Sequence, residues 1–318
     1  MSVRNAAISK DTNAPFALYD AFTEVPYSGS QAAVVLHSSG ISQKKRATIA
    51  REIGVPATAF VEEVRAQRVT VQFYSTVMEL PMCGHGTVCL ITRLVEMGLL
   101  SVPTEIWQSA VLDLPNGDAT VEYRRTSTER VEIMLDVATP QFTTADIDVS
   151  ELCNLLGIKH TVLATALPVE VASADFVHLC LPLQSLEAMG KIKPDFSGVA
   201  NFCIANGLET VATFSTEATD NTHHLHVRDF CPAVGVAESA AAGTTNAALA
   251  AYLLRNGCVQ ADHTGSVVVR AEQGIEMNRP SEVTTRIQFD DNHIERLQVG
   301  GVATRIVEGV LNVGTDTQ

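Results

Sequence analysis

Short apolar runs set in polar residues dominate the chain, and few stretches are apolar on a helical period. In the first half, residues 16–22, 32–36, 59–64 and 69–74 read as strands, followed by 105–108, 119–123 and 131–136. One helix follows Ser42, with Ile49, Ala50 and Ile53 on one face and Gly54 ending it before Pro56. A second, far more apolar helix covers 87–97. In the second half, 149–156, 183–189 and 244–255 read as helices, and 162–163, 176–181, 202–205, 210–214, 224–230, 266–271, 284–289 and 306–310 as strands.

The two most apolar helices share a preamble. A strand ending near Phe73 leads through Glu79 to Cys83-Gly84-His85-Gly86-Thr87 and a helix stopping at Gly98. A strand ending near Phe230 leads through Glu238 to Ala242-Gly243-Thr244 and a helix stopping at Gly257. Two copies of strand, acidic loop, glycine helix start and apolar helix imply an internal duplication. The expected fold is α+β, with two pseudo-symmetric domains over 14–137 and 138–313. Each is a curled, mostly antiparallel sheet around its central helix, with the C-terminal strand free to return to the first domain. The two helix starts would then face one another across a cleft.

Those helix starts carry the candidate chemistry. A helix N-terminus presents unpaired N–H groups and partial positive charge, which favour a thiolate at Cys83 and a substrate carboxylate beside it. Gly84 and Gly86 allow close approach to a ligand, with Thr87 completing the turn, and His85 points into the same space to steady developing enolate charge. On the other side Gly243, Thr244 and Thr245 offer N–H groups and hydroxyls, and Ser239 lies just before them. Glu238 stands as a ligand or second proton donor. Cys231 reads as a core thiol. His223, His224 and His226 resemble a metal cluster, but no third ligand follows at suitable spacing, and no metal site is expected.

Bulk properties narrow the class. With 318 residues, 46% hydrophobic and 18% charged, the chain is long and apolar enough for two folded domains. A net charge of −14 without Lys/Arg clusters excludes electrostatic binding to nucleic acid or anionic membranes. Seven cysteines without a CxxC pair fit a reducing compartment. The N-terminus lacks a signal-peptide core and no apolar run approaches a membrane span, so a cytoplasmic protein is expected. There is no GxGxxG, P-loop or HExxH, and no cofactor is expected.

The opening Tyr19-Asp20-Ala21-Phe22-Thr23, then Gly29-Ser30-Gln31-Ala32-Ala33-Val34-Val35, is similar to the PhzF-like DAFT…GNPAAVV. Ile49-Ala50-Arg51-Glu52, Ala57-Thr58-Ala59-Phe60-Val61, Gln273-Gly274, Arg279-Pro280-Ser281 and Val299-Gly300-Gly301 continue the likeness over nearly the whole chain. The chain thus resembles the phenazine-biosynthesis PhzF-like family, within the diaminopimelate epimerase and proline racemase fold group. The run Met82-Cys83-Gly84-His85-Gly86-Thr87 is closer to proline racemases and hydroxyproline epimerases.

The resemblance implies cofactor-independent proton transfer at carbon, a substrate held between the domains, and members that often pair as homodimers. Racemases of the group place a cysteine on each face of the substrate, whereas here Cys83 faces Ala242. PhzF-type isomerases use a glutamate, a histidine and an aspartate. Here Ala57 stands at the glutamate position and Ser239 at the aspartate position, and His85 is kept. The expectation is an isomerase acting on a small carboxylate, with Cys83 as base and His85 assisting. The rivals are a dehydratase acting on a hydroxy amino acid such as hydroxyproline, an epimerase with a non-thiol second acid, and a binding protein without catalysis.

Overall fold

The computed structural model describes residues 13–290 and 293–314. It is an α+β fold built on one mixed eighteen-stranded sheet curled around two buried helices. The duplication is visible strand by strand. Asn13–Ala21 pairs antiparallel with Ser30–Val35, which runs parallel to Ala57–Arg65, which is antiparallel to Arg68–Tyr74. Arg68–Tyr74 takes the short Glu79–Leu80 on one end and the parallel Gln108–Leu114 on the other. Hairpins then add Gly117–Arg125 and Val131–Asp136.

The second half repeats that order. Glu170–Ser173, Val177–Pro182, Thr210–Ser215 and Leu225–Cys231 follow with the same alternation of directions. Leu225–Cys231 takes Val236–Ser239 and the parallel Ser266–Gln273, and hairpins add Ser281–Asp290 and His293–Gly301. The halves join where Val131–Asp136 pairs with His293–Gly301. Ala303–Asn312 then pairs along Asn13–Ala21, so the last strand of the chain lies in the sheet of the first half.

Each half wraps one helix, Gly84–Glu96 or Gly243–Arg255. A helix apolar on every side has no solvent face, and a curled sheet is the surface that covers it. Val88 through Leu94 are almost wholly buried, and fully burying each Leu or Ile contributes roughly 1.5–3 kcal/mol. Arg93 is the one charged residue in this run. It is buried, and it reaches Glu308 of the returning strand at 2.8 Å, pinning that strand to the first central helix.

Three expected strands are not strands: of 105–108 only Gln108 joins one, Gln108–Leu114, 162–163 close the short 3-10 turn His160–Val162, and 202–205 are helical. Residues 202–205 end the helix Phe196–Ala205. The Asp195 side chain caps it by accepting from the Gly198 N–H, and Val199, Phe202 and Cys203 form one buried face at helical spacing. The strands Gln141–Thr144, Glu170–Ser173, Val236–Ser239 and His293–Gly301 went unassigned. No helix among the described residues is long and apolar enough to cross a membrane.

Candidate active site

Cys83 is the extended residue that caps the first central helix, with φ −145° and ψ 111°. Its carbonyl accepts from both the N–H and the hydroxyl of Thr87, each at 2.8 Å. A Cβ on Gly86 would stand 3.0 Å from Phe73 and 3.1 Å from the Cys83 sulfur, so this glycine makes room for the thiol. At Gly84 a Cβ would meet nothing within 4 Å, which leaves that side of the turn open. His85 folds back over the thiol, with Nδ1 at 3.5 Å and Nε2 at 3.6 Å from Sγ.

The expected thiolate is not what this packing favours. Burial pushes the Cys83 thiol up to about 12, against a smaller opposing pull from the Gly86 N–H. Burial also draws His85 down to about 4. Burial thus favours the neutral forms of both the thiol and the imidazole.

At the second helix start Ala242 takes the place of Cys83 as the capping residue. Asn246 does the work of Thr87, donating to the Ala242 carbonyl through its N–H at 3.1 Å and its side chain at 2.8 Å. Gln273 locks the turn, accepting from the Ala242 N–H and from Asn246 and donating to the Ser239 carbonyl at 2.7 Å. Counting from the two caps, Thr244 stands where His85 does and Thr245 where Gly86 does. Thr244 and Ser239 are half-buried, whereas Thr245 is buried and donates to Asp229 at 3.0 Å.

Residues 19–309 match the family described as phenazine biosynthesis-like protein, PhzC-PhzF. The chain belongs to this family. It is 25% identical to the uncharacterized isomerase YddE of Escherichia coli (strain K12) over 288 residues, covering 89% of this chain and 93% of that one. It is 24% identical to the trans-2,3-dihydro-3-hydroxyanthranilate isomerase of Pseudomonas fluorescens over 303 residues, 93% of this chain and 98% of that enzyme. Both relatives are named as isomerases, which supports an isomerase-type function. The fold matches a Bacillus anthracis PhzF-family structure with a TM-score of 0.83 at 23% identity, covering 94% and 99% of the two chains. It also matches, more distantly, a hydroxyproline epimerase from Agrobacterium vitis with a TM-score of 0.57 at 11% identity, over 96% and 94%.

Within this PhzF-family chain several expected site residues have other work. Glu238 accepts two hydrogen bonds from Arg228, at 2.8 and 2.9 Å, and Arg228 also donates to the Met189 and Ile192 carbonyls at the end of the helix Leu186–Gly190. Both Glu238 oxygens are committed to this pair, which withdraws it from the role of proton donor. Thr87 and Thr245 are buried with their hydroxyls bonded inside the protein, and Gly86 faces Phe73 and sulfur, so none of the three presents a side to a ligand. Gly84, His85, Ser239, Gly243 and Thr244 remain partly open at the two helix starts.

Sequence reasoning gave no role to Asp229, Gln273 or Arg279. Asp229 had a legible signal, since Leu225, Val227 and Asp229 alternate onto one face and a carboxylate there must be buried. Arg279 ties the halves together. It donates to Asp20 at 2.7 Å and to the Gly29 and Ser28 carbonyls at 2.8 Å, closing the turn that follows the first strand. Asp20 is wholly buried, so Arg279→Leu would strand its charge. The expected loss is about 2–4 kcal/mol by urea denaturation, against less than about 0.5 kcal/mol for Arg65→Leu, whose pair with Glu63 is exposed.

The histidine cluster is an ion-pair network. His226, not His224, is the buried one, held between Glu272 at 2.7 Å and Glu276 at 2.9 Å, while His223 bonds Glu282 at 2.9 Å. Burial alone would lower the His226 pKa, but the two carboxylates outweigh it and raise it to about 9. Burial would raise Glu272, yet bonds from His226 and Thr219 carry it down to about 2. The His226 contribution to stability is therefore complete below its unfolded value of 6.5 and is lost as pH rises toward 9. Thermal melts of the native protein should fall across that window, and His226→Gln should melt lower overall with the alkaline fall removed.

Proposed function

We propose that this protein is a cofactor-independent isomerase that moves a proton at carbon on a small carboxylate-bearing substrate held between the two helix starts, with Cys83 and His85 as one acid–base unit. The observation that carries this reading is the thiol–imidazole contact at the glycine-lined N-terminus of the first central helix. Packing shifts the roles from those expected. Burial disfavours the thiolate, so in this reading the accepting lone pair belongs to His85. The imidazole accepts the carbon-bound proton, and the thiol orients it. Once an imidazolium forms, it lowers the cost of a thiolate beside it, so the two protons become interchangeable.

Enolate-like charge needs donors aimed where it develops. The N–H groups at Gly84 and Gly243 begin the two central helices, and the Thr244 hydroxyl adds a donor on the second side. The test is an NMR screen in D₂O of cyclic and acyclic amino acids, hydroxy acids and unsaturated carboxylates. Support would be an isomeric product carrying solvent deuterium, formed without added metal or cofactor. A product requiring an added cofactor, or no turnover of any carboxylate class, would overturn the reading.

A further inference from the structure

Beneath the second helix start lies a buried polar group that the Cys83–His85 unit leaves unused. Asp229 is 2% exposed; its Oδ2 accepts from Thr245, and its Oδ1 has no partner among the described residues. Asp229 and Ser239 are direct partners in the antiparallel ladder, so their side chains share one face of the sheet. In the first half the corresponding pair is Phe73 and Leu80, and Phe73 forms the wall beside the Cys83 thiol. A carboxyl group thus occupies, in the second half, the place next to the missing second thiol. Ser239 itself stands where the resemblance leads one to expect an aspartate.

Asp229 also has a route to water. Thr245 Oγ1 lies 3.5 Å from His178 Nδ1, and the Thr210 hydroxyl lies 2.8 Å from the same nitrogen. His178 and Thr244 line a small cavity with Pro140, Asp175 and Phe176.

We propose that Asp229 is the proton store for the second face of the substrate, delivering through the Ser239 hydroxyl and recharging through Thr245 and His178 from the cavity beside Thr244. In delivery the Asp229 carboxyl proton passes to Ser239 Oγ as the Ser239 hydroxyl proton passes to carbon. One C–H bond forms, one carboxyl O–H breaks, and a carboxylate remains. A proton from water then moves by way of His178 and the Thr245 hydroxyl to restore the acid, with no electron transferred. Burial pushes Asp229 up to about 6, against opposing hydroxyls of Thr245 and Thr210, so a fraction carries its proton near neutrality.

This inference rests on the isomerase reading and adds the source of the returned proton, and its test separates the two. In D₂O, on whichever carboxylate the native protein converts, Asp229→Asn is expected to lower product formation at least 100-fold while Cys83–His85 continues to exchange substrate hydrogen for deuterium. Thr245→Val, which removes the recharging hydroxyl, should slow repeated turnover while leaving first-face exchange intact, and should move the pH profile's limb near 6 upward because the carboxylate loses its donor. Equal product formation in Asp229→Asn and native protein would overturn the proton store while leaving the isomerase reading in place. A second measurement needs no substrate. Carboxyl ¹³C NMR of aspartate-labelled protein should show one signal titrating near 6, absent in Asp229→Asn and shifted upward in Thr245→Val. An Asp229 signal titrating at the ordinary value near 3.9 would overturn the proposal even if no substrate is found.

Discussion

Replacing His85 with asparagine is expected to lower turnover by about 10²–10⁴-fold while leaving thermal stability nearly unchanged. His85 is partly open, and its one contact of note is with the Cys83 sulfur, so its loss opens no buried cavity. Asparagine keeps a polar side chain at the helix start but cannot accept a proton at any working pH. Cys83→Ser should also lose most activity, since serine keeps the donor but not the polarizable sulfur that fills the space between Gly86 and Phe73. If both variants kept native rates, the thiol and imidazole would be parts of the turn and the proton would be moved elsewhere.

Gly300→Ala is expected to be the most damaging small substitution in the seam between the halves. Gly300 pairs with Met134 on one side and Thr284 on the other, within the ladder that joins the two halves of the sheet. A Cβ there would stand 1.8 Å from the Ile133 carbonyl oxygen and 2.8 Å from the Met134 sulfur. The methionine can move, but the carbonyl belongs to a paired strand and cannot yield without opening the seam. Forcing that shift should cost roughly 3–5 kcal/mol, seen as a lower urea midpoint or as failure to fold. Gly84→Ala is the internal comparison, because its added methyl meets nothing within 4 Å. A Gly300→Ala protein as stable as Gly84→Ala would show that the seam is looser than its register implies.

The duplication was legible because both central helices begin at a glycine after the same strand and acidic loop, and their apolar residues leave no solvent face. The caps at Cys83 and Ala242 follow from the same pattern. Three features were missed, the first two because the deciding partner lies on another strand. The thiol's burial depends on Phe73, which reaches it from the neighbouring strand. Glu238 looked free in its loop, but the Arg228 that claims it stands ten residues earlier on the adjoining strand. The run Phe202-Cys203-Ile204-Ala205 is too short for its period to separate helix from strand, and the Asp195 cap seven residues before it was the clue left unused. Asp229 is different, since its inward position in an alternating strand could have been read directly.

The measurement closest to the central claim is the rate at which solvent deuterium enters the activated carbon of a converted carboxylate, followed by NMR for native protein, Cys83→Ser and His85→Asn under one set of conditions. Exchange in the native protein that falls by orders of magnitude in both variants, with unchanged melting temperatures, is the expected result. Exchange that survives the loss of both side chains would contradict the assignment of proton abstraction to the Cys83–His85 pair.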